Sequence, residues 1–181
     1  DDNGETMNRR HFLSLALSAA AAPAFARKQN NQHRTLCLRH LHTDERLQVT
    51  YRIGDHYQRD ALNQLNRFLR DFRTGEVMVM DPRLFDLLYD LQYRAGHPQS
   101  EFEIFSAYRS PRTNAMLRRT SGGVARRSLH MSGKALDLRL NGCSNRTVRD
   151  SAIAMHRGGV GYYPRSSFVH LDTGPVRTWR A

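Results

Sequence analysis

Two short segments near the C-terminal end of the chain alternate strictly between aliphatic and polar residues, and this alternation restricts what they can form. In residues 135–140, three leucines occupy every second position and Asp137 stands between two of them. In residues 168–172, two aliphatic residues alternate with His170 and Asp172. Because successive side chains of a strand point to opposite faces of a sheet, each segment predicts a strand with one aliphatic and one polar face.

A metal site is the chemistry that these polar faces indicate. His130 lies just ahead of the first strand, and Gly133 lets the backbone bend so that His130 can return toward Asp137. A carboxylate within an apolar run is costly unless it is paired, hydrogen-bonded or bound to a metal. A catalytic zinc site needs three protein ligands and one open position for water, and the candidates here are His130, Asp137, His170 and Asp172. The pattern therefore predicts a zinc hydrolase.

The first 26 residues predict an export signal and not a part of the fold. Arg9 and Arg10 precede a short apolar run that ends in a small-residue cleavage pattern. The order of the two arginines and the phenylalanine after them is typical of the twin-arginine route. The apolar run over residues 12–22 is too short to span a bilayer, so we expect no stable membrane insertion. We interpret residues 1–26 as upstream residues and a signal peptide, and we expect a periplasmic protein.

The remaining chain is strongly basic. Removing the signal takes away two arginines and three acidic residues, so the formal net charge rises from +11 to +12. This charge favours anionic partners, and export favours a carboxylate-rich cell-wall polymer over nucleic acid. We expect a flexible leader over residues 27–34 and one monomeric zinc peptidase domain over residues 35–181. Cys37 and Cys143 could pair in an oxidising compartment, although the sequence does not show that they are adjacent.

Strands and helices are mixed along this domain. Asp81 followed by Pro82 is a typical helix start, since the aspartate can cap the first turn and proline fits the first helical position. The predicted elements are a hairpin over 35–51, helices over 55–72, 82–95, after Pro111 and over 145–156, and strands over 102–108, 135–140, 160–163 and 168–172. We therefore predict an α+β domain with a small, mostly antiparallel sheet flanked by helices.

Around the candidate ligands the chain resembles a known family. A Ser-x-His-x-x-Gly-x-Ala-x-Asp pattern, which is the zinc motif of the M15-type peptidases and their Hedgehog-like relatives, is formed by Ser128, His130, Gly133, Ala135 and Asp137. Residues 105–110, 158–164 and 168–174 further resemble the MepK-type (YcbK-type) murein endopeptidases. The resemblance implies a Hedgehog/D-Ala-D-Ala peptidase-like fold. It also implies a zinc enzyme that cuts peptide cross-links of peptidoglycan, with preference for the L,D link between two diaminopimelate residues.

The resemblance also implies roles for single residues. His130, Asp137 and His170 would hold one Zn²⁺ per chain, and water in the fourth position would be acidified enough to attack an amide. Arg109 matches a family arginine that faces the cleft, where a guanidinium group can hold an oxyanion or a substrate carboxylate. Further candidates for contacts with the stem peptides are Ser128, Tyr162 and Tyr163. The two tyrosines could equally be core or sheet-edge residues.

The general base is the open point of this interpretation. Many family members have an acidic residue three positions before the last histidine ligand, where this chain has Ser167. Others have a histidine two positions before it, where this chain has Phe168. Asp172 is then the remaining candidate for the base, but a carboxylate in that position can also serve only to orient His170.

Other functions of the same ligand set stay open. A D,D-endopeptidase or a carboxypeptidase acting on muropeptides would use the same three ligands. The departure at Ser167 also allows a non-catalytic, zinc-containing module that binds the cell wall. Outside the ligand segments, basic residues around a glycine loop can attract anionic stem peptides or simply be solvated, and they are Arg118, Arg119, Arg126 and Arg127.

Overall fold

One eight-stranded sheet organises the described residues, which in this computed structural model are 32–121 and 124–181. The predicted signal peptide and the start of the predicted leader lie outside the described residues. The elements are β1 (His33–His40), β2 (Arg46–Ile53), β3 (His56–Tyr57), α1 (Arg59–Phe68), α2 (Pro82–Arg94), β4 (Phe102–Ser106), α3 (Pro111–Thr120), a 3-10 turn (Leu129–Ser132), β5 (Ala135–Leu140), α4 (Asn145–Ile153), β6 (Gly159–Tyr163), β7 (Phe168–Asp172) and β8 (Arg177–Arg180).

The sheet is mixed, and this corrects the predicted mostly antiparallel sheet. Its strand order is β3-β2-β1-β4-β5-β7-β6-β8, with parallel pairing of β1 with β4 and of β6 with β8. The chain between β1 and β4 holds β2, β3, α1 and α2, which is long enough for the crossover that parallel strands require. Alternation along a strand shows which face is apolar but not which neighbour the strand will have, so the sequence did not reveal these pairings. The α+β class itself is confirmed.

The core lies between one face of the sheet and the helices α1, α2 and α4. The leucines of β5, which are Leu136, Leu138 and Leu140, point into this core and are almost fully buried. Helix α2 supplies its own apolar stripe, and its four inward leucines are no more than 2% exposed. The opposite face of the sheet is therefore left for polar side chains.

Three helices begin with the side-chain caps that their sequences favour. Asp81 accepts a hydrogen bond from the backbone of α2, Ser110 caps α3, and Ser144 caps α4. Helix α1 is shorter than the predicted span of 55–72, because His56 and Tyr57 pair with β2 as strand β3. Strand β1 begins at His33, inside the segment predicted as a leader.

Strand β8 was not predicted, because four mostly polar residues carry little strand signal. In the described part of the chain, Cys37 and Cys143 are both free and half-buried. No helix among the described residues has the length and apolar character needed to cross a membrane.

Asp86 of α2 ties the helix to the edge of the sheet. Its carboxylate accepts hydrogen bonds from the hydroxyl groups of Tyr51 at 3.0 Å and Tyr57 at 2.5 Å. It also accepts from the guanidinium groups of Arg34 at 3.1 Å and Arg52 at 3.0 Å. Burial alone would raise the pKa of Asp86, but these donors outweigh burial and lower it.

Replacing Asp86 by asparagine should lower the free energy of unfolding at neutral pH by about 2–4 kcal/mol, because two half-buried arginines lose their shared carboxylate. The folded pKa of Asp86 lies below its unfolded value of about 3.9. The carboxylate therefore stabilises the fold above that pH, and the effect is lost as the pH falls through the folded pKa. Denaturant unfolding at pH 7 and in acid measures both effects, and the difference between the two proteins should shrink in acid.

Asp44→Asn is the matched control, since Asp44 forms its ion pair with Arg39 at an exposed turn. An equal loss of stability in both variants would contradict the role given to Asp86.

Candidate metal centre

Three potential ligand atoms meet at one point on the polar face of the sheet. Oδ1 of Asp137 lies 2.8 Å from Nδ1 of His170 and 3.3 Å from Nε2 of His130. The two histidine nitrogens are 3.2 Å apart. All three side chains are buried, with exposed fractions between 2% and 8%. The structure thus brings together the three residues that the family resemblance indicated, in a group able to hold a metal ion.

Sheet register and one tight turn produce this arrangement. Asp137 of β5 lies directly opposite His170 of β7 in an antiparallel pair, so both side chains project on the same face. His130 comes from the 3-10 turn, which is capped by the Ser128 hydroxyl and ends at Gly133. Gly133 has a φ of 67°, and a Cβ there would lie 2.5 Å from the carbonyl oxygen of Val79. The predicted bend therefore requires glycine for its conformation and for its space.

Each ligand is oriented by a separate partner. Nδ1 of His130 donates to the backbone oxygen of Ala107 at 2.6 Å, which leaves Nε2 with a free lone pair. Nε2 of His170 contacts Asp172 at 3.0 Å, which directs Nδ1 toward Asp137 in the ligand group. These contacts fix both the ring orientation and the tautomer, as expected for histidines that bind metal.

The electrostatics of the group favour an ionised carboxylate. Burial alone would raise the pKa of Asp137, but His130 and His170 together hold it well below its usual range. Burial lowers the pKa of His130, which keeps this ring neutral and able to ligate. For His170, burial acts in the same direction, but the hydrogen bonds to Asp137 and Asp172 outweigh it and raise the pKa.

Asp172 lies behind His170 and is fully buried. Its Oδ1 accepts from the backbone amides of Gly159 at 3.0 Å and Gly174 at 2.8 Å. Its Oδ2 accepts from His170, and Arg177 donates to both oxygens at 3.1 and 2.6 Å. Both carboxylate oxygens are thus engaged, and these contacts correspond to the orienting role among the two roles considered for Asp172.

Arg109 contacts the ligand group directly. It pairs with Oδ2 of Asp137, and its Nε donates to the Ser106 hydroxyl at 2.8 Å. Its backbone amide also donates to the carbonyl oxygen of His130 at 3.2 Å. Arg109 therefore holds the carboxylate ligand so that Oδ1 is directed toward the two histidines.

The two candidate tyrosines lie on opposite faces of β6. Tyr162 pairs with Val169 and packs against the core, where Arg149 of α4 covers its ring. Of the positions considered for Tyr162, this placement corresponds to the core position and not to the substrate groove. Tyr163 lies on the same face as His170, stacks on Phe168 with ring centroids 4.5 Å apart, and accepts a hydrogen bond from Trp179.

Two residues of the unpredicted strand β8 complete the site. Arg177 holds Asp172, and the ring of Trp179 lies 5.1 Å from the ring of His170. Both lie over glycines of β6: a Cβ at Gly159 would be 2.5 Å from Arg177, and one at Gly161 would be 2.5 Å from Trp179. The alternating glycines of β6 were the available signal, since a strand face without side chains leaves room for large neighbours.

The geometry defines a class of site. Two histidine nitrogens and one carboxylate oxygen, each oriented by a further contact, fit the donor chemistry of a zinc ion with an open position. An α+β domain with this group on the open face of its sheet is a candidate metal-dependent hydrolase.

Comparison with known proteins agrees with this class. The family model described as peptidoglycan L,D-endopeptidase MepK, one of the M15 peptidases, matches residues 28–179, and the chain belongs to this family. The chain is 44% identical over 177 residues to peptidoglycan L,D-endopeptidase MepK of Escherichia coli K12, covering 95% of this chain and 97% of the relative. It is 42% identical over 178 residues to probable peptidoglycan L,D-endopeptidase MepK of Haemophilus influenzae, covering 96% of each. No solved structure matched the chain.

Metal analysis of purified variants tests the ligand assignment. The wild-type chain should retain one Zn²⁺, and His170→Ala should lose it, because two donors cannot replace three. Asp172→Asn should keep the fold but weaken zinc binding about 10- to 100-fold, since it removes the partner that orients His170. His156→Ala is the control, because His156 lies in the turn that follows α4 and outside the ligand group. Full zinc occupancy in His170→Ala would contradict the assignment.

Proposed function

We propose that this chain is a periplasmic zinc metallopeptidase that hydrolyses peptide cross-links of peptidoglycan, in particular the L,D link between two diaminopimelate residues. The observation that carries the proposal is the convergence of the ligand atoms of His130, Asp137 and His170. Support for the substrate comes from relatives named as peptidoglycan L,D-endopeptidases, which match nearly the whole chain. Support for the periplasm comes from the twin-arginine pattern in the first 26 residues.

The three ligands would hold zinc in a site where Asp137 is already ionised and His130 neutral, and bound zinc would take the place of the proton that the raised pKa of His170 favours. When bound, zinc supplies the acidification of water that allows attack on an amide near neutral pH, and it polarises the scissile carbonyl. The chain's own contribution is to aim one nitrogen of each histidine into the group, through the contacts with Ala107 and Asp172. Asp137 stays ionised between the two rings and directs Oδ1 into the group.

Arg109 is proposed to act on the substrate as well as on Asp137. Its Nε and one terminal nitrogen are engaged by Ser106 and Asp137, and the other terminal nitrogen makes no hydrogen bond among the described residues. Its side chain is 14% exposed, so it borders the open side of the site. A guanidinium N–H in this position can donate to the oxyanion that develops when the peptide carbonyl is attacked. Asp172 is proposed as a positioning residue behind His170.

Two observations favour a second candidate function, a zinc-containing module that binds the cell wall without cutting it. Both oxygens of Asp172 are engaged by other donors, and Ser167 occupies the position where many family members have an acidic residue. D,D-endopeptidase and carboxypeptidase action on muropeptides are further alternatives, since they need the same ligands.

Digestion of purified muropeptides decides between these functions. The chain from residue 27 should convert dimers with diaminopimelate–diaminopimelate links to monomers, and a chelator should abolish the conversion. Mass spectrometry identifies which muropeptide disappears and therefore which bond is cut. Loss of D-alanine–diaminopimelate dimers or of terminal D-alanine instead would select one of the alternative peptidases. Binding without any loss of dimers would support the non-catalytic module.

Arg109→Lys separates the oxyanion role from simple charge. A lysine keeps the charge beside Asp137 but cannot hold Ser106, Asp137 and a substrate oxygen together. We expect kcat on cross-linked dimers to fall about 100-fold with zinc occupancy retained, which is the scale of losing one oxyanion donor. Arg118→Lys, on the exposed end of α3, should leave kcat unchanged. An unchanged kcat in Arg109→Lys would exclude the proposed contact.

A further inference from the structure

A cavity lined with arginines lies along α3, the helix that begins two residues after Arg109, and none of its lining residues is a candidate metal ligand. Its volume is about 570 Å³, within the range of small-ligand sites. One wall is a face of α3, and the other is the loop that follows α1 and Leu69. Among its lining residues are Arg73, Glu76, Arg112, Thr113, Met116 and Arg119.

Three guanidinium groups face this cavity without carboxylate partners. Among the ion pairs of the described residues, none involves Arg73, Arg112 or Arg119. By contrast, Arg70 on the same loop forms an ion pair with Glu45. Like charges that converge on one space repel each other, and an anion between them removes this repulsion.

The segment between β4 and α3 holds one wall of the cavity through Ser110 and contacts the candidate metal ligand Asp137 through Arg109. The buried carboxylate of Asp71 accepts from the backbone of Ser110 at 2.9 Å and of Arg73 at 3.0 Å, which ties the loop to the start of α3. One residue earlier, Arg109 contacts Asp137. Burial lowers the pKa of Arg73, Asp71 opposes this effect, and the nearby charge of Arg109 lowers it further. Arg73 is thus close enough to Arg109 for their charges to interact.

We propose that this cavity is the subsite for an amino-acid end of the substrate that carries both a carboxylate and an ammonium group. The inference rests on the proposed function, because it places a substrate group beside the proposed cleavage site. The arginines would hold the carboxylate through charge-assisted hydrogen bonds, and Glu76 would face the ammonium group. Met116 provides an apolar surface for the carbon chain between them.

Diaminopimelate has the required chemistry. It has two amino-acid ends, and joining two such residues through one amide leaves one end with both its ammonium and its carboxylate free. An uncross-linked stem that ends in diaminopimelate carries the same free end. In a dimer linked through D-alanine the donor diaminopimelate keeps the same free end, but one residue further from the scissile amide, so the cavity would favour the diaminopimelate link through this distance.

The test measures binding and kinetics separately. In calorimetry with the metal-loaded chain, a tripeptide stem that ends in diaminopimelate should bind at least tenfold more weakly to the double variant Arg112→Gln, Arg119→Gln, the scale of lost charge-assisted bonds. The matched control is Arg118→Gln, which removes an exposed charge from α3 outside the cavity and should bind as the wild type does. A stem in which the carboxylate beside the free ammonium group of diaminopimelate is amidated should bind the wild type and the double variant equally weakly. With cross-linked dimers, the double variant should raise KM at least tenfold with kcat within about twofold.

The outcomes separate this inference from the proposed function. If the wild type cleaves no muropeptide but binds the stem in a manner that depends on Arg112 and Arg119, the subsite stands and the peptidase does not. If cleavage occurs but the double variant binds and cleaves like the wild type, the subsite is overturned. Equal weakening by Arg118→Gln would also overturn it, since the effect would then be one of general charge. Circular dichroism and zinc content of each variant verify the fold.

Discussion

The pairing of β5 with β7 is the constraint on which the site depends. It sets Asp137 directly opposite His170, so a shift of one residue would turn one of these side chains into the leucine core. The apolar residues of both strands prevent this shift, because their burial against the helices fixes which face is inward. The hydrophobic core thus determines the position of the polar site on the other face of the same strands.

Four candidate ligands could be found from sequence because their signals are local, and the family resemblance selected three of them. Alternation showed the polar face of β5 and β7, and Gly133 indicated the bend that returns His130. Most helices and strands were likewise predicted, since caps and periodicity are also local. The parallel pairs and β8 depend on contacts between distant segments, for which short polar strands leave no pattern.

The role of Asp172 likewise depends on contacts with distant segments, which the sequence pattern does not reveal. Its position on the strand made it equally suitable as a base or as a partner of His170, and the sequence kept both roles open. One amide from the start of β6, one from the turn after β7 and Arg177 from β8 distinguish them, because they occupy the carboxylate oxygens. Spacing along one strand cannot reveal donors that arrive from other elements. The partner residues of a site are therefore harder to predict than its ligands.

Trp179 is the single tryptophan of the chain, and its ring lies 5.1 Å from His170. The indole nitrogen is hydrogen-bonded to Tyr163, and the ring rests over Gly161, so its position relative to the ligand group is well defined. Tryptophan fluorescence of the protein consequently comes from one place, next to the candidate metal centre. Emission from this residue offers an optical record of ion uptake and of substrate entry, without any added label.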